Sequence, residues 1–175
     1  MQKRHFLRTS AAFLGTLALS SCSSQRTDAK AEPLTTQLAK TEGDTAQFEV
    51  VKTADEWREV LTPEEFHVLR EHGTERPFSS RLDKFYEAGT YVCAGCEQPL
   101  YSSETKFNSG TGWPSFYAAL PDAVATSVDN SFFMTRTEVH CDHCGGHLGH
   151  IFNDGPQPTG KRHCINGVAL NFVPA

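Results

Sequence analysis

Two C-x-x-C pairs, Cys93-Ala94-Gly95-Cys96 and Cys141-Asp142-His143-Cys144, constrain this chain more than any other feature. Four thiols at knuckle spacing match the ligand set of a closed, tetrahedral zinc site. Such a site ties together two tight turns far apart in sequence, and a structural Zn2+ supplies on the order of 10 kcal/mol of folding free energy. Two disulfides, or redox-active pairs of the thioredoxin kind, are the competing explanations. The presence of two equal knuckles rather than one favours the metal.

Of the six cysteines, Cys164 belongs to neither pair and sits between Arg162, His163 and Asn166. A neighbouring guanidinium is expected to lower its pKa below the roughly 8.5 of a free thiol, and the thiolate is the form that attacks. Period-two alternation from here onward places Arg162, Cys164, Asn166, Val168, Leu170 and Phe172 on one face of a strand, with a polar start for a site and an apolar end for the core. Upstream, His147 and His150 are three apart, so an ideal strand points them to opposite faces; both reach one site only if Gly149 permits a bulge. Two histidines, Asp154 and a lone thiol together suit general acid catalysis or thiolate stabilisation. His140 beside the second knuckle and His143 within it are assigned no role. Trp113 lies in the loop Ser109-Gly110-Thr111-Gly112-Trp113-Pro114-Ser115-Phe116, where an indole face can line a pocket for a small apolar group.

The N-terminus has a different character. Lys3, Arg4 and Arg8 precede a short apolar run from Ala11 to Leu19, and Leu19-Ser20-Ser21-Cys22 resembles a lipobox. The run is too short to span a bilayer, so residues 1–21 are expected to be a lipoprotein signal peptide with Cys22 the acylated first residue. Lys3-Arg4-His5-Phe6-Leu7-Arg8 also resembles a twin-arginine export motif with Lys in place of the first Arg. Residues 22–48, rich in Thr, Gln, Ala, Lys and Glu, suit a flexible tether, and residues 49–175 form the domain. The expected location is the bacterial cell envelope, facing the periplasm on a lipid anchor, with the outer membrane favoured. Without the leader the chain keeps 13 Lys and Arg against 21 Asp and Glu, a net charge of -8, which argues against nucleic acid as a partner.

Within the domain, Thr53 to Leu61 reads as a capped helix with Trp57, Val60 and Leu61 on its apolar side. Thr62-Pro63-Glu64-Glu65 starts a second through a capping box, burying Phe66 and Leu69 and ending at Gly73. Helical periodicity then gives way to short Phe-, Tyr-, Val- and Thr-rich runs punctuated by Gly and Pro, the pattern of antiparallel strands. Strands are expected at 89–92, 99–101, 107, 123–129, 132–140, 147–152 and 164–172.

Taken together, Gly73 to Phe78, Cys93 to Cys96, Ser109 to Phe116, Cys141 to Phe152, Asp154-Gly155-Pro156 and Arg162 to Phe172 resemble the type B methionine sulfoxide reductases, over roughly residues 55 to 173. The resemblance implies two antiparallel β-sheets with short N-terminal helices, and reduction of the R diastereomer of methionine sulfoxide in oxidised peptides and proteins. It makes Cys164 the nucleophile, oxidised to a sulfenic acid. His147 and His150 would bind and protonate the sulfoxide oxygen, Asp154, Arg162 and Asn166 would organise the polar side, and Trp113 would pack on the substrate methyl group. Many members carry a resolving cysteine where this chain has Thr111. A one-cysteine mechanism is therefore expected, with a small thiol or thioredoxin-like partner as reductant. His163 replaces a frequent Tyr or Phe and should point away from Cys164. Two other classes compete: a non-catalytic zinc-stapled β domain that binds a ligand or partner, and an oxidoreductase using the C-x-x-C pairs as redox centres.

Overall fold

The computed structural model describes residues 48–175; the expected signal peptide, Cys22 and the tether up to residue 47 lie outside the described residues. Two short helices open the domain, α1 (Ala54–Val60) and α2 (Pro63–Glu71), each started by a complete capping box, Thr53 with Glu56 and Thr62 with Glu65. Reciprocal bonds of this kind satisfy donors that a helix start otherwise leaves open. Trp57, Leu61, Phe66, Val68 and Leu69 are buried, but Val60 is 59% exposed, contrary to expectation. In so short a helix the i, i+4 pair Trp57 and Leu61 defines the inward stripe, and Val60 falls to one side of it. The left-handed residue that ends α2 is His72 (φ 55°), one before the expected Gly73. Gly73 is required for a different reason: a Cβ there would lie 2.8 Å from the carbonyl oxygen of His67 and closer still to its ring.

Nine strands follow: β1 (Gly89–Cys93), β2 (Pro99–Ser102), β3 (Lys106–Phe107), β4 (Ser115–Phe116), β5 (Val124–Asp129), β6 (Arg136–Cys141), β7 (His147–Phe152), β8 (Arg162–Ile165) and β9 (Leu170–Pro174). They form a three-stranded sheet, β2-β1-β9, and a six-stranded sheet, β3-β4-β8-β7-β6-β5, with every pairing antiparallel. The mainly β architecture with two antiparallel sheets and short N-terminal helices is as expected.

Three local expectations are corrected. The single strand foreseen from Cys164 to Phe172 is two strands in different sheets, broken by a 3-10 turn at Gly167–Ala169. Glu75 causes the break, because its carboxylate accepts the N–H groups of Gly167 (2.6 Å) and Val168 (3.0 Å), giving this backbone partners outside any ladder. The common face foreseen for Arg162 through Phe172 therefore does not exist as one face. The strand foreseen from 132 starts only at Arg136, after a 3-10 turn at Ser131–Phe133. Finally, β4 is a two-residue strand inside the loop around Trp113, inserted between β3 and β8.

The core lies between the sheets. Tyr101 of β2 stacks on Phe116 of β4 at 4.4 Å, and Tyr91 of β1 meets Phe116 edge-on at 5.0 Å and Phe172 of β9 at 5.1 Å. Such pairs add about 0.5–1.5 kcal/mol each beyond their burial. Both tyrosine hydroxyls are satisfied, Tyr91 donating to the Phe85 carbonyl and Tyr101 bonding to His163 Nδ1.

Candidate active site

Strand β8 sets the position of Cys164, holding it opposite Ser115 on β4 and His150 on β7. Strand β7 carries a bulge: Val139 pairs with Gly149 and His140 with His147, leaving Leu148 as the extra residue. One inserted residue restores the side of the sheet that a three-residue spacing would lose. The rings of His147 and His150 accordingly stand 5.4 Å apart, as the sequence requires if both serve one site.

Cys164 opens into a cavity of about 140 Å3 lined by Thr74, Trp113, Arg136, Gly149, His150, Phe152 and Asn166. A cavity near 150 Å3 holds a benzene-sized group, so this one admits the end of one side chain. Trp113 is steadied by an indole N–H bond to the Glu75 carbonyl at 3.3 Å. Asn166, 3% exposed, accepts from the Glu75 N–H and donates to the Leu148 carbonyl, both at 3.0 Å. It braces the bulge against the loop carrying Thr74. A larger depression of about 790 Å3 between α2, residues 74–82 and residues 167–171 contains no cysteine.

Arg162 makes a two-pronged bond to Asp154, both arms at 2.9 Å, with its guanidinium over the Phe152 ring at 4.4 Å. This pairing holds Asp154 below the usual carboxylate range and raises Arg162 above its own. The expected depression of the Cys164 pKa is not found. Burial pushes the thiol up, and the opposing pull of Arg162 and of the Thr111 hydroxyl is smaller. The guanidinium is shared with Asp154, which weakens its field at sulfur, and a buried thiol resists ionisation.

The two histidines are held differently. Deeply buried His147 bonds through Nδ1 to Glu138 Oε1 at 2.6 Å, and its Nε2 has no hydrogen-bond partner among the described residues. Glu138 also meets His72 Nδ1 at 2.9 Å and accepts from Ser127 at 2.6 Å; chiefly through the His147 bond it is pushed down to about 2. His150 bonds through Nε2 to Asp129 Oδ2 at 2.7 Å, and Asp129 pairs with Arg136 at 2.6 Å. Desolvation lowers the His150 pKa more than Asp129 raises it. His150 lines the Cys164 cavity, whereas His147 faces an adjoining space of about 490 Å3 shared with His72, Asp129, Arg136, Glu138 and His150. Glu75, Asp129, Arg136 and Glu138 were not foreseen as site residues. Their only sequence signal is the placing of Arg136 and Glu138 on β6, next to β7, and of Asp129 at the end of β5, one strand further out.

Just ahead of the start of β7 the four paired cysteines converge. Cys93 and Cys96 sit at the β1–β2 turn and Cys141 and Cys144 at the β6–β7 turn, so the cluster joins the two sheets. The two knuckles are matched: Glu97 (φ 62°) and Gly145 (φ 68°) are left-handed at the same offset, and each N–H bonds back to the first cysteine of its pair. All four sulfurs lie within 4.8 Å of one another, with Cys93 to Cys144 at 3.8 Å and Cys96 to Cys141 at 3.6 Å. Those are non-bonded separations, and all four thiols are free. Tetrahedral Zn–S bonds of about 2.3 Å place sulfurs roughly 3.8 Å apart, so the donor set fits a four-thiolate structural metal site. Phe48 meets His140 edge-on at 5.9 Å, and Val50 N–H bonds to the His143 carbonyl at 3.0 Å.

Comparison with known proteins matches residues 61–174 to the SelR domain family. A peptide methionine sulfoxide reductase MsrB of Methanosarcina barkeri is 60% identical over 128 residues, covering 73% of this chain and 90% of the relative. The MsrB of Agrobacterium fabrum is 53% identical over 126 residues, covering 71% of this chain and 93% of the relative. That of Pseudomonas syringae is 54% identical over 124 residues, covering 70% and 95%.

Proposed function

Since the chain belongs to the MsrB family of peptide methionine sulfoxide reductases, and is thus an oxidoreductase acting on methionine sulfoxide, we propose that Cys164 reduces the R diastereomer of methionine sulfoxide residues in oxidised peptides and proteins. The observation that carries this is Cys164 facing a cavity sized for one side-chain end, between the Trp113 indole and His150. The substrate methyl group packs on the indole and the sulfoxide oxygen turns to the histidine side. In the other diastereomer the oxygen meets apolar surface and loses its hydrogen bonds, costing roughly 1–3 kcal/mol.

In the chemical step the Cys164 sulfur attacks the sulfoxide sulfur, a proton from the histidine pair reaches the sulfoxide oxygen, and oxygen passes to cysteine. Thiolate, sulfoxide and one proton become a sulfenic acid and a thioether. The substrate sulfur gains two electrons and the Cys164 sulfur loses two. With Thr111 in place of a resolving cysteine, two external thiols, or a thioredoxin-like dithiol, return Cys164 to its thiol with release of water. The other four cysteines of the domain hold Zn2+, which serves structure alone. Arg162 with Asp154, and Asn166, fix the frame around the thiol.

We further propose that the domain is a lipoprotein of the cell envelope anchored through Cys22, on the strength of the basic start, short apolar run and lipobox-like tetrapeptide. The discriminating experiment is turnover by the full chain of separated R and S methionine sulfoxide peptides with dithiothreitol, alongside Cys164→Ser. Reduction of R alone, abolished by the substitution, is the expected result. A folded, metal-loaded protein that turns over neither form would favour the binding-domain alternative.

A further inference from the structure

Beside the cavity that holds Cys164 lies a group of donor atoms that the reaction above does not use as a set. Glu138 Oε1 is approached from two sides, by His147 Nδ1 at 2.6 Å and by His72 Nδ1 at 2.9 Å. The two imidazoles stand 5.1 Å apart between ring centroids, and one donor atom from each of the three residues lies within 4.8 Å of the others. Glu138 and His147 are fixed on the paired strands β6 and β7, their side chains 11% and 3% exposed, whereas His72 is 66% exposed at the left-handed end of α2. Two donors are thus held rigidly, and the third meets them from a position with room to move.

Two imidazoles and a carboxylate are a known protein ligand set of open zinc sites, which leave a fourth position for water. Zn–N and Zn–O bonds of about 2.0–2.2 Å put tetrahedral donors roughly 3.3 Å apart, so the three atoms have to part by less than about 1 Å. The exposed His72 can supply most of that movement. All three residues line the space of about 490 Å3 described above, where the carboxylates of Glu71, Asp129 and Glu138 face one guanidinium, that of Arg136. That balance favours a cation. Glu138 is ionised at neutral pH, and imidazole donors suit Zn2+ and its transition-metal neighbours rather than Mg2+ or Ca2+.

We propose that His72, Glu138 and His147 form a second, reversible Zn2+ site, and that its occupation slows sulfoxide reduction. The metal-binding half stands on the convergence of the three donors; the inhibitory half rests on the assignment of His147 to sulfoxide protonation. With the ion on Nδ1, the one proton of the neutral ring moves to Nε2, and the ring cannot take up a second proton to become an imidazolium. The sulfoxide oxygen then loses one of its two acids. A three-donor site with an exposed ligand holds its ion more weakly than four thiolates do. The ion is therefore taken up from added Zn2+ and exchanges, while the cysteine cluster keeps its own.

The test uses the full chain with its cysteine site filled, reduced and then freed of small thiols. Titration with Zn2+ by calorimetry, and with Co2+ by visible absorption, is expected to show one further equivalent bound. The cobalt spectrum should carry the d–d bands of nitrogen and oxygen ligation without a thiolate charge-transfer band. His72→Gly suits the left-handed backbone and removes only the imidazole; it should weaken binding at least about tenfold, the least that loss of a mere supporting partner costs. Circular dichroism establishes that the variant is folded. No further equivalent, a thiolate band, or binding unaltered in His72→Gly overturns the site, and Glu138 then does no more than accept two imidazole N–H bonds. For the inhibitory half, methionine formation in a single turnover of an R sulfoxide peptide, with no reductant present, should slow at least about tenfold at saturating Zn2+. The His72→Gly chain should need correspondingly more metal for the same effect. An unchanged rate with the site filled overturns the inhibition. If the reductase assignment itself fails, no methionine forms with or without metal, while the binding curves stay as they are.

Discussion

Gly149 and Cys164 meet backbone to backbone: a Cβ added at Gly149 would lie 2.0 Å from the Cys164 carbonyl oxygen. The contact brings the bulged part of β7 against β8, with His150 directly opposite Cys164. Gly149→Ala therefore has to part the two strands. We expect a loss of more than about 2 kcal/mol of stability, the range of substitutions that force backbone strain, together with loss of sulfoxide turnover. Urea unfolding measures the first; a variant within about 0.5 kcal/mol of the parent would mean that the strands yield freely.

The cysteine cluster makes a separate prediction. A structural Zn2+ contributes on the order of 10 kcal/mol, comparable to the whole stability of a typical domain. Cys96→Ser, or a strong chelator, is expected to unfold the protein, while Cys164→Ser stays folded and keeps one metal ion per chain. Metal analysis with circular dichroism checks both. A chain that stays folded and active after chelation would remove the structural role.

The knuckles, the capped start of each helix, most strands and the need for a bulge beside Gly149 were legible because each depends on local chemistry: ligand spacing, a threonine ahead of Glu, alternation, a glycine between two histidines. What escaped depends on distant residues. The break at Gly167–Ala169 comes from the Glu75 carboxylate, ninety residues upstream and more, and alternation alone cannot report it. The same holds for Cys164, where Arg162 was visible in sequence but its commitment to Asp154 and the burial of the thiol were not. Glu138 read as an ordinary strand residue because only the β6–β7 register brings it to His147.

His163 yields a prediction in pH. It faces away from Cys164, pairs with Tyr101 at 3.2 Å, and burial pushes its pKa down to about 4. In the unfolded chain the value is about 6.5. Above 6.5 both states are neutral and histidine adds no pH dependence. Between 6.5 and 4 the unfolded chain takes up a proton that the folded one refuses, so stability falls with pH, by at most about 3 kcal/mol. His163→Phe should be less stable near pH 7, having left the Tyr101 hydroxyl without a partner, yet should lose about 3 kcal/mol less between pH 7 and 4. Urea midpoints of both proteins at the two pH values give the difference, and parallel losses would contradict it.

Glu138 holds His147 by a 2.6 Å bond to Nδ1, and that bond fixes which ring nitrogen stays open. With Nδ1 donating to a carboxylate, Nε2 is left for substrate chemistry, and it has no other hydrogen-bond partner among the described residues. Glu138→Gln keeps the shape but removes the negative charge, and its amide can present an N–H to Nδ1, inverting the tautomer. Since Glu138 lies outside the Cys164 cavity, binding should change little. We expect kcat for R sulfoxide peptides to fall about 10- to 100-fold, as when supporting partners of functional histidines are removed, with KM within about twofold. Glu138→Asp should recover part of the rate if reach permits. A rise in KM at unchanged kcat would instead assign Glu138 to substrate binding, and full activity in Glu138→Gln would show that His147 needs no carboxylate to hold its orientation.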